Sequence, residues 1–353
     1  MEVYTVPESR RYWVIRADGG EYFEHFIDNE VIALGHLDGL NLDESIEQPF
    51  EPNYDIIEHK LSKLHESQGH DKGRTTTHIK QVKAFLSEIQ VGDWVLTVGN
   101  YSYRFGRVTG LPRLSKKLLK VKTEQSSRRN THLKYHLRRQ VVWGPSIKRT
   151  VLPYGLRTSL RAHQTLFNID DHSAAVYHSL YPLFIKNNNL HLSARINTED
   201  NVKNYAVVSL LSFLDEIEVI SKEFENELNE ENFDVRFNQY ALNGSLTITT
   251  QAAFHSPGDV WNTLFSGNIN IHLDSWVIYA AISYSMIFGN KGPGFDGLLD
   301  LKTRQKLWDL VIDRMNKKNI PSVVKTLDLT TPMANTKKLE NKNKDEVVDR
   351  EDS

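Results

Sequence analysis

No cysteine occurs in the 353-residue chain. That excludes disulfides, thiolate nucleophiles and cysteine-ligated zinc or iron–sulfur centres, and it fits a reducing, cytoplasmic location. Nothing in the chain is apolar for long enough to span a bilayer. The longest such stretch, Trp276 to Phe288, has thirteen residues, against about 20 for a spanning helix, and reads as a buried helix. The opening residues MEVYTVPESRR carry no apolar core behind their charges, so no secretory signal is expected. The fourteen histidines show no H-E-x-x-H pair or other ligand spacing, and neither a metal nor another cofactor is expected. Acid is almost missing from one segment: Tyr101 to Thr165 holds sixteen Lys and Arg against a single acid, Glu124. Soluble surfaces usually mix their charges, so a block of this length points to a polyanionic partner, and phosphate backbones are the obvious kind.

The chain divides at about residue 170. Before it, YWVIRA (Tyr12 to Ala17) reads as a strand ending at Gly19-Gly20, EYFEHFIDN as a helix, and VIALG (Val31 to Gly35) as a second strand. Asn53 to Glu88 turns helical, with Ile79, Val82, Phe85, Leu86 and Ile89 on one face and the polar loop ESQGHDKGRTTT interrupting it. VGDWVLTVGNYSYRFGRVTG alternates like a hairpin turning at Gly99-Asn100, and RRQVVWG (Arg138 to Gly144) is a further strand. These elements predict an α+β domain over residues 1–170, with a curved, mostly antiparallel sheet forming a small β-barrel flanked by helices. Residues 171–203 read as a helical connector and residues 204–320 as an α/β domain. In the latter, a helix leads into nine acids between Asp215 and Asp234, and a β-hairpin is expected to turn at Asn243-Gly244. A second turn is expected at Ser256-Pro257-Gly258, and helices over Trp276 to Phe288 and Thr303 to Asn316. The charged tail, 331–353, has little to bury and is expected to be disordered.

The glycine turn in ADGGEYFEHF has the strand–turn–helix layout of phosphate sites but neither of their glycine patterns. Asp18 and Glu21 at the helix start would repel an anion. YWVIRADGGEYFEHFIDNEVIALG, IQVGDWVLT, RFGRVTG, RRQVVWG and LRTSLRAHQTLFNI, in that order over residues 11–170, together resemble the N-terminal domain of Mrr-like restriction proteins. That domain is similar to EVE and PUA-like barrels. The resemblance implies recognition of modified or flipped bases in restriction or anti-phage defence, with YWVIRA lining the pocket and VGDWVL in the barrel core. The chain departs from the family pattern at His36, where the family usually has Trp.

A base drawn from its stack needs aromatic faces and edge donors. Trp13, Tyr101 and Tyr103 are candidates for the faces, and Arg16 and Arg104 for the donors. Arg104 and Arg107 are three apart in a strand and must face opposite sides. The backbone would be held by Arg107, Lys116, Lys117, Arg128, Arg129, Arg138, Arg139, Lys148 and Arg149. Nucleic acid, DNA ahead of RNA, is the expected partner. The acidic C-terminal domain, which loosely resembles adaptor domains of bacterial conflict systems, is expected to self-associate or recruit an effector, with no catalysis of its own. The alternative is an Mrr-like endonuclease with a divergent metal-dependent domain, using Asp300 and Lys302 of LDLKT with Asp259 or Asp274. A third reading has the C-terminal apolar helix bind a partner or a membrane surface.

Overall fold

The computed structural model describes the chain apart from residues 1–3, 8, 41–52, 122–131, 150–151, 162–163, 224–225, 227, 255–257, 265–300, 333–338 and 340–353. Arg128, Arg129, Asp274, Asp300 and the helix expected over Trp276 to Phe288 lie outside the described residues. The chain forms two units: an N-terminal one of residues 9–173 with 335–353, and a C-terminal one of residues 1–8 with 174–334. The first strand, β1 (Tyr4–Thr5), therefore belongs to the C-terminal unit.

The N-terminal unit follows the expected order. It contains β2 (Tyr12–Ile15), α1 (Phe23–Asp28), β3 (Val31–Leu34), α2 (Tyr54–Ser67), α3 (Lys72–Lys83), a π-helical turn (Ala84–Glu88), β4 (Trp94–Val98) and β5 (Ser102–Val108). After these come β6 (Arg113–Leu114), β7 (Leu119–Lys120), β8 (His132–Leu133), β9 (Leu137–Trp143), β10 (Ile147–Lys148), α4 (Tyr154–Ser159) and β11 (Leu166–Asn168). The loop between α2 and α3 is shorter than its polar sequence suggests, because the Asp71 side chain accepts from the Arg74 N–H at 2.8 Å and starts α3 at once.

Eight strands form one sheet, in the order β11-β2-β4-β5-β9-β3, with β10 beside β5 and β6 beside β9. It is antiparallel except for the β2–β4 pair. The end strands β11 and β3 do not pair, so the sheet curls into a half-barrel.

The register divides the central strands into two faces. Trp13 pairs with Val95, Val95 with Gly106 and Gly106 with Trp143, and this face packs with Phe26, Leu61, Val82 and Phe85 of the helices into one core. Val14, Leu96 and Phe105 lie on the opposite face. Gly106 is required where it stands: a Cβ there would meet Val141 and come within 2.6 Å of the Trp143 ring.

The C-terminal unit departs further from expectation. Residues 171–203 are not a helical connector. After α5 (Ser173–Leu180) they form β12 (Leu183–Lys186) and β13 (Asn189–Ile196), the centre of a second sheet of order β1-β12-β13-β15-β14. Leu183, Ile185, Leu190, Leu192, Ala194 and Ile196 point into its core. After α6 (Asn204–Glu223), the hairpin expected at Asn243-Gly244 is instead α7 (Glu230–Leu242), with Asn243 as its C-cap and Gly244 at φ 61°. Asn229 and Asn232 cap α7 reciprocally, and Phe233, Phe237 and Tyr240 recur at helical spacing towards the core. The hairpin of this unit is β14 (Thr249–Ala252) with β15 (Gly258–Leu264); Ser256 and Pro257 of the expected turn lie outside the described residues. Helices α8 (Leu301–Lys317) and α9 (Ile320–Leu327) and strand β16 (Leu329–Thr330) follow, β16 pairing with β13. Of the tail expected to be disordered, only Thr331, Pro332 and Leu339 are described. Leu339 is buried, beside Gly144. No helix among the described residues is long and apolar enough to cross a membrane.

Candidate functional site

A cleft of ≈ 460 Å³ lies against the N-terminal sheet. Trp13 of β2, Leu166 and Phe167 of β11 and Gln164 form one wall, and Thr77, Lys80, Gln81, Lys83, Ala84 and Glu88 form the other. The helical lining falls at intervals of three and four, one stripe of α3 beside the stripe that carries Val82 and Phe85 into the core. At Ala84 the helix widens into the π turn, closed by the Ile89 N–H donating five residues back to the Ala84 carbonyl at 2.9 Å. Such turns displace side chains from the regular helical positions and recur at functional sites; here the turn carries Ala84 and Glu88 into the cleft.

Trp13 is held rigidly. Its indole N–H donates to Asp93 Oδ2 at 3.1 Å, and the same carboxylate accepts from the main-chain N–H groups of Gln90 at 2.9 Å and Arg11 at 3.2 Å. Burial pushes the Asp93 carboxyl above its ordinary pKa, against the opposing pull of these hydrogen bonds. The Arg11 guanidinium lies 4.6 Å from the Trp13 ring centroid and bonds Asp170 at 3.3 Å, with Glu88 at 3.8 Å. Arg11 therefore draws the one carboxylate of the cleft lining towards itself. Lys80 and Lys83 are exposed and have no ion-pair partner among the described residues.

The other residues expected in a base pocket do not meet there. Trp13 is only 2% exposed, so it offers the cleft little free surface. Arg16, three residues on, falls on the opposite side of the sheet, as does Tyr103. Tyr103 is wholly buried, edge-on to Phe105 with centroids 5.5 Å apart. Arg104 is half-buried and donates to the Gly144 carbonyl at 3.2 Å. The expected convergence of Trp13, Arg16 and Tyr103 is thus corrected by strand parity.

The basic block also divides. Arg107, Arg138 and Arg139 are buried, which corrects their expected place on a phosphate-binding surface. Arg138 donates to the carbonyls of Tyr135 at 2.7 Å and Leu133 at 3.4 Å, and Arg139 to those of Phe85 at 2.9 Å and Leu86 at 3.1 Å. Burial lowers both guanidinium pKa values to about 10. These forks satisfy carbonyls inside the fold, those of the π turn among them. Lys116, Lys117, Lys148 and Arg149 remain exposed.

Four expected residues do come together. Tyr101, 89% exposed, sits in the β4–β5 turn and accepts the Arg149 N–H on its carbonyl at 3.0 Å. Lys148 pairs with Ser102 in the ladder. Arg16 donates to the Leu160 carbonyl, and its pKa is lowered by burial and then by the Arg149 charge. Tyr101 thus presents an exposed ring beside the cations Lys148 and Arg149.

Among the described residues, no three His, Asp or Glu side chains are arranged to hold a metal ion. Asp259, a candidate carboxylate of the nuclease alternative, lies 3.8 Å from Arg195 across the β13–β15 ladder. Compared with protein-family models, curated proteins and solved structures, the chain matches none. The resemblance to Mrr-like N-terminal domains therefore rests on the segments quoted above.

The sequence reading missed Gln81, Lys80, Lys83, Gln164, Phe167 and Arg11. HIKQVKAF does show a polar stripe beside an apolar one, but a solvated helix face has the same pattern. Only the neighbouring strand β11, more than eighty residues later, makes that stripe a wall.

Proposed function

We propose that the N-terminal unit binds nucleic acid, DNA ahead of RNA, and houses one extruded base in the cleft between Trp13–Phe167 and α3. The observation that carries this reading is the cleft's make-up: rings on one wall, amide and ammonium heads on the other, and a volume in the range that small ligands occupy. Tyr101, Lys148 and Arg149 supply a second, sequence-tolerant contact to the strand. In this reading the half-barrel is of the PUA/EVE-like kind and senses modified or flipped bases in a restriction or anti-phage setting, while the C-terminal unit self-associates or recruits an effector.

Binding is tested with single-stranded, double-stranded and bulged probes across a salt series. Affinity should fall steeply with salt, and Phe167→Ala should weaken bulged probes more than fully paired ones. A chain that binds no probe at about 50 mM salt rules the proposal out.

A further inference from the structure

Gln81 is the one buried polar side chain of the cleft lining. Its Oε1 lies 2.7 Å from His36 Nε2. Behind His36 stands a cluster of imidazoles: His78 stacks on it with centroids 4.0 Å apart and planes 8° from parallel, and His65 meets both His78 and His70 edge-on at 4.8 Å.

Hydrogen bonds order the inner part of this cluster. The Thr75 hydroxyl donates to the Asp71 carbonyl at 3.1 Å, so it accepts from His65 Nδ1–H at 3.0 Å. His65 Nε2 is then a lone pair, and it accepts from His78 Nδ1–H at 3.2 Å. Burial first, and then the mutual charges of the histidines and Arg74, hold His36, His65 and His78 below the ordinary histidine pKa, so these three are neutral near pH 7. The parallel stack sets the in-plane lone pairs of His36 and His78 side by side and not towards a common point, which suits a positioning frame better than a metal centre.

With one lone pair of Oε1 held by His36, Gln81 has its two Nε2–H donors and the second Oε1 lone pair to offer. Lys80 and Lys83 are donors too, and the lining's one carboxylate, Glu88, is drawn off by Arg11. Donors therefore predominate on the α3 wall, while Gln164 opposite and the Thr77 hydroxyl can also accept. We propose that Gln81, positioned by His36, reads the edge of the housed base as a donor, so that the cleft prefers bases with an exocyclic carbonyl (guanine, thymine, uracil, cytosine) over adenine, which has none. This rests on the reading of the cleft as a base site.

The test uses the full chain and duplexes carrying one bulged guanine, thymine or adenine in otherwise identical sequence, with affinity read by fluorescence anisotropy. The guanine and thymine bulges should bind roughly tenfold tighter than adenine, as expected for one hydrogen bond made or left unmade. Gln81→Glu, which puts an acceptor in place of the donor, should shift the preference towards adenine. His36→Ala should reduce the preference to about twofold without changing the salt dependence, and imidazole nitrogen resonances should show His36 protonated at Nε2. Equal wild-type affinity for all three bulges, with each still weakened by Phe167→Ala, overturns the edge reading and leaves the cleft as a base site. No binding to any bulge overturns both. The wild-type comparison stands even where a variant fails to fold.

Discussion

Arg139 donates to the carbonyls that α3 and its π turn leave open, and its guanidinium also lies 5.8 Å from the Phe85 ring centroid. Arg149 belongs to the same basic block but projects from an exposed strand end. The two should part under mutation. Arg139→Ala leaves buried carbonyls without partners and should cost about 3 kcal/mol or more of stability, visible as a lowered Tm, with the salt dependence of binding unaltered. Arg149→Ala should leave Tm nearly unchanged while the slope of log K against log salt falls by about 1. A flattened slope in Arg139→Ala without loss of Tm would show that its burial has been misjudged. Asp93 offers a companion case, since Asp93→Ala strands the Trp13 indole N–H and two main-chain N–H groups. It should destabilise by about 2–3 kcal/mol and also weaken bulged-probe binding, because Trp13 loses its fixed orientation.

The strands and helices of the N-terminal unit were legible because each carries its own period: alternation in VGDWVLTV, three-and-four spacing from Ile79 to Ile89. What the sequence hid was which elements face one another. Parity, which separates Arg104 from Arg107, separates Trp13 from Arg16 by the same count of three, so the failed convergence was readable in YWVIRA itself. In the C-terminal unit, Asn243-Gly244 is an equally good ending for a helix and for a hairpin, and Phe233, Phe237 and Tyr240 decide it only when helical spacing is weighed against the local alternation of VRFNQY. Residues 183–196 read as connector because of the asparagines among residues 171–203, yet Asn187 and Asn188 adopt the left-handed φ of a tight hairpin, 51° and 58°. Gly106 ties the sheet to its core: Gly106→Ala drives a methyl against Val141 and Trp143 and should cost about 1–3 kcal/mol, measured by denaturant unfolding.

Across the whole chain, both charge blocks are partly spent inside the fold. Glu216 takes a bidentate pair from Arg314 at 2.9 and 2.8 Å, and Glu218 accepts the N–H groups of Thr247 and Ile248. The acidic half is therefore less of a free surface than its composition suggests, as is the basic half. Each unit also keeps neutral histidines in its interior. His78 in one and His191 in the other are lowered from 6.5 to about 4, burial being the main cause in both. A histidine lowered on folding takes up its proton more readily when unfolded. The stability these groups allow is complete above about pH 6.5, falls as pH drops towards 4, and changes no further below that. Thermal melts at pH 7.5 and pH 5 should show both units less stable in acid. His78→Gln should flatten the response of the N-terminal unit alone, and a pH-independent Tm over this window would contradict the assignment.

The placement of β1 bears on how the protein is made. Tyr4 pairs with Phe184 in a parallel ladder and stacks on Tyr181, with centroids 4.5 Å apart. Strand β1 thus leaves the ribosome well before β12, while the segment between them, residues 9–173, carries the elements of another unit. Synthesis from the N-terminus allows that segment to fold first and shorten the chain that must close, which lowers the entropic cost of bringing β1 to its partner. A nascent chain stalled before β12 emerges would then expose Tyr4 and Val6 as an uncovered, sticky strand, ready for chaperones or for a neighbouring copy.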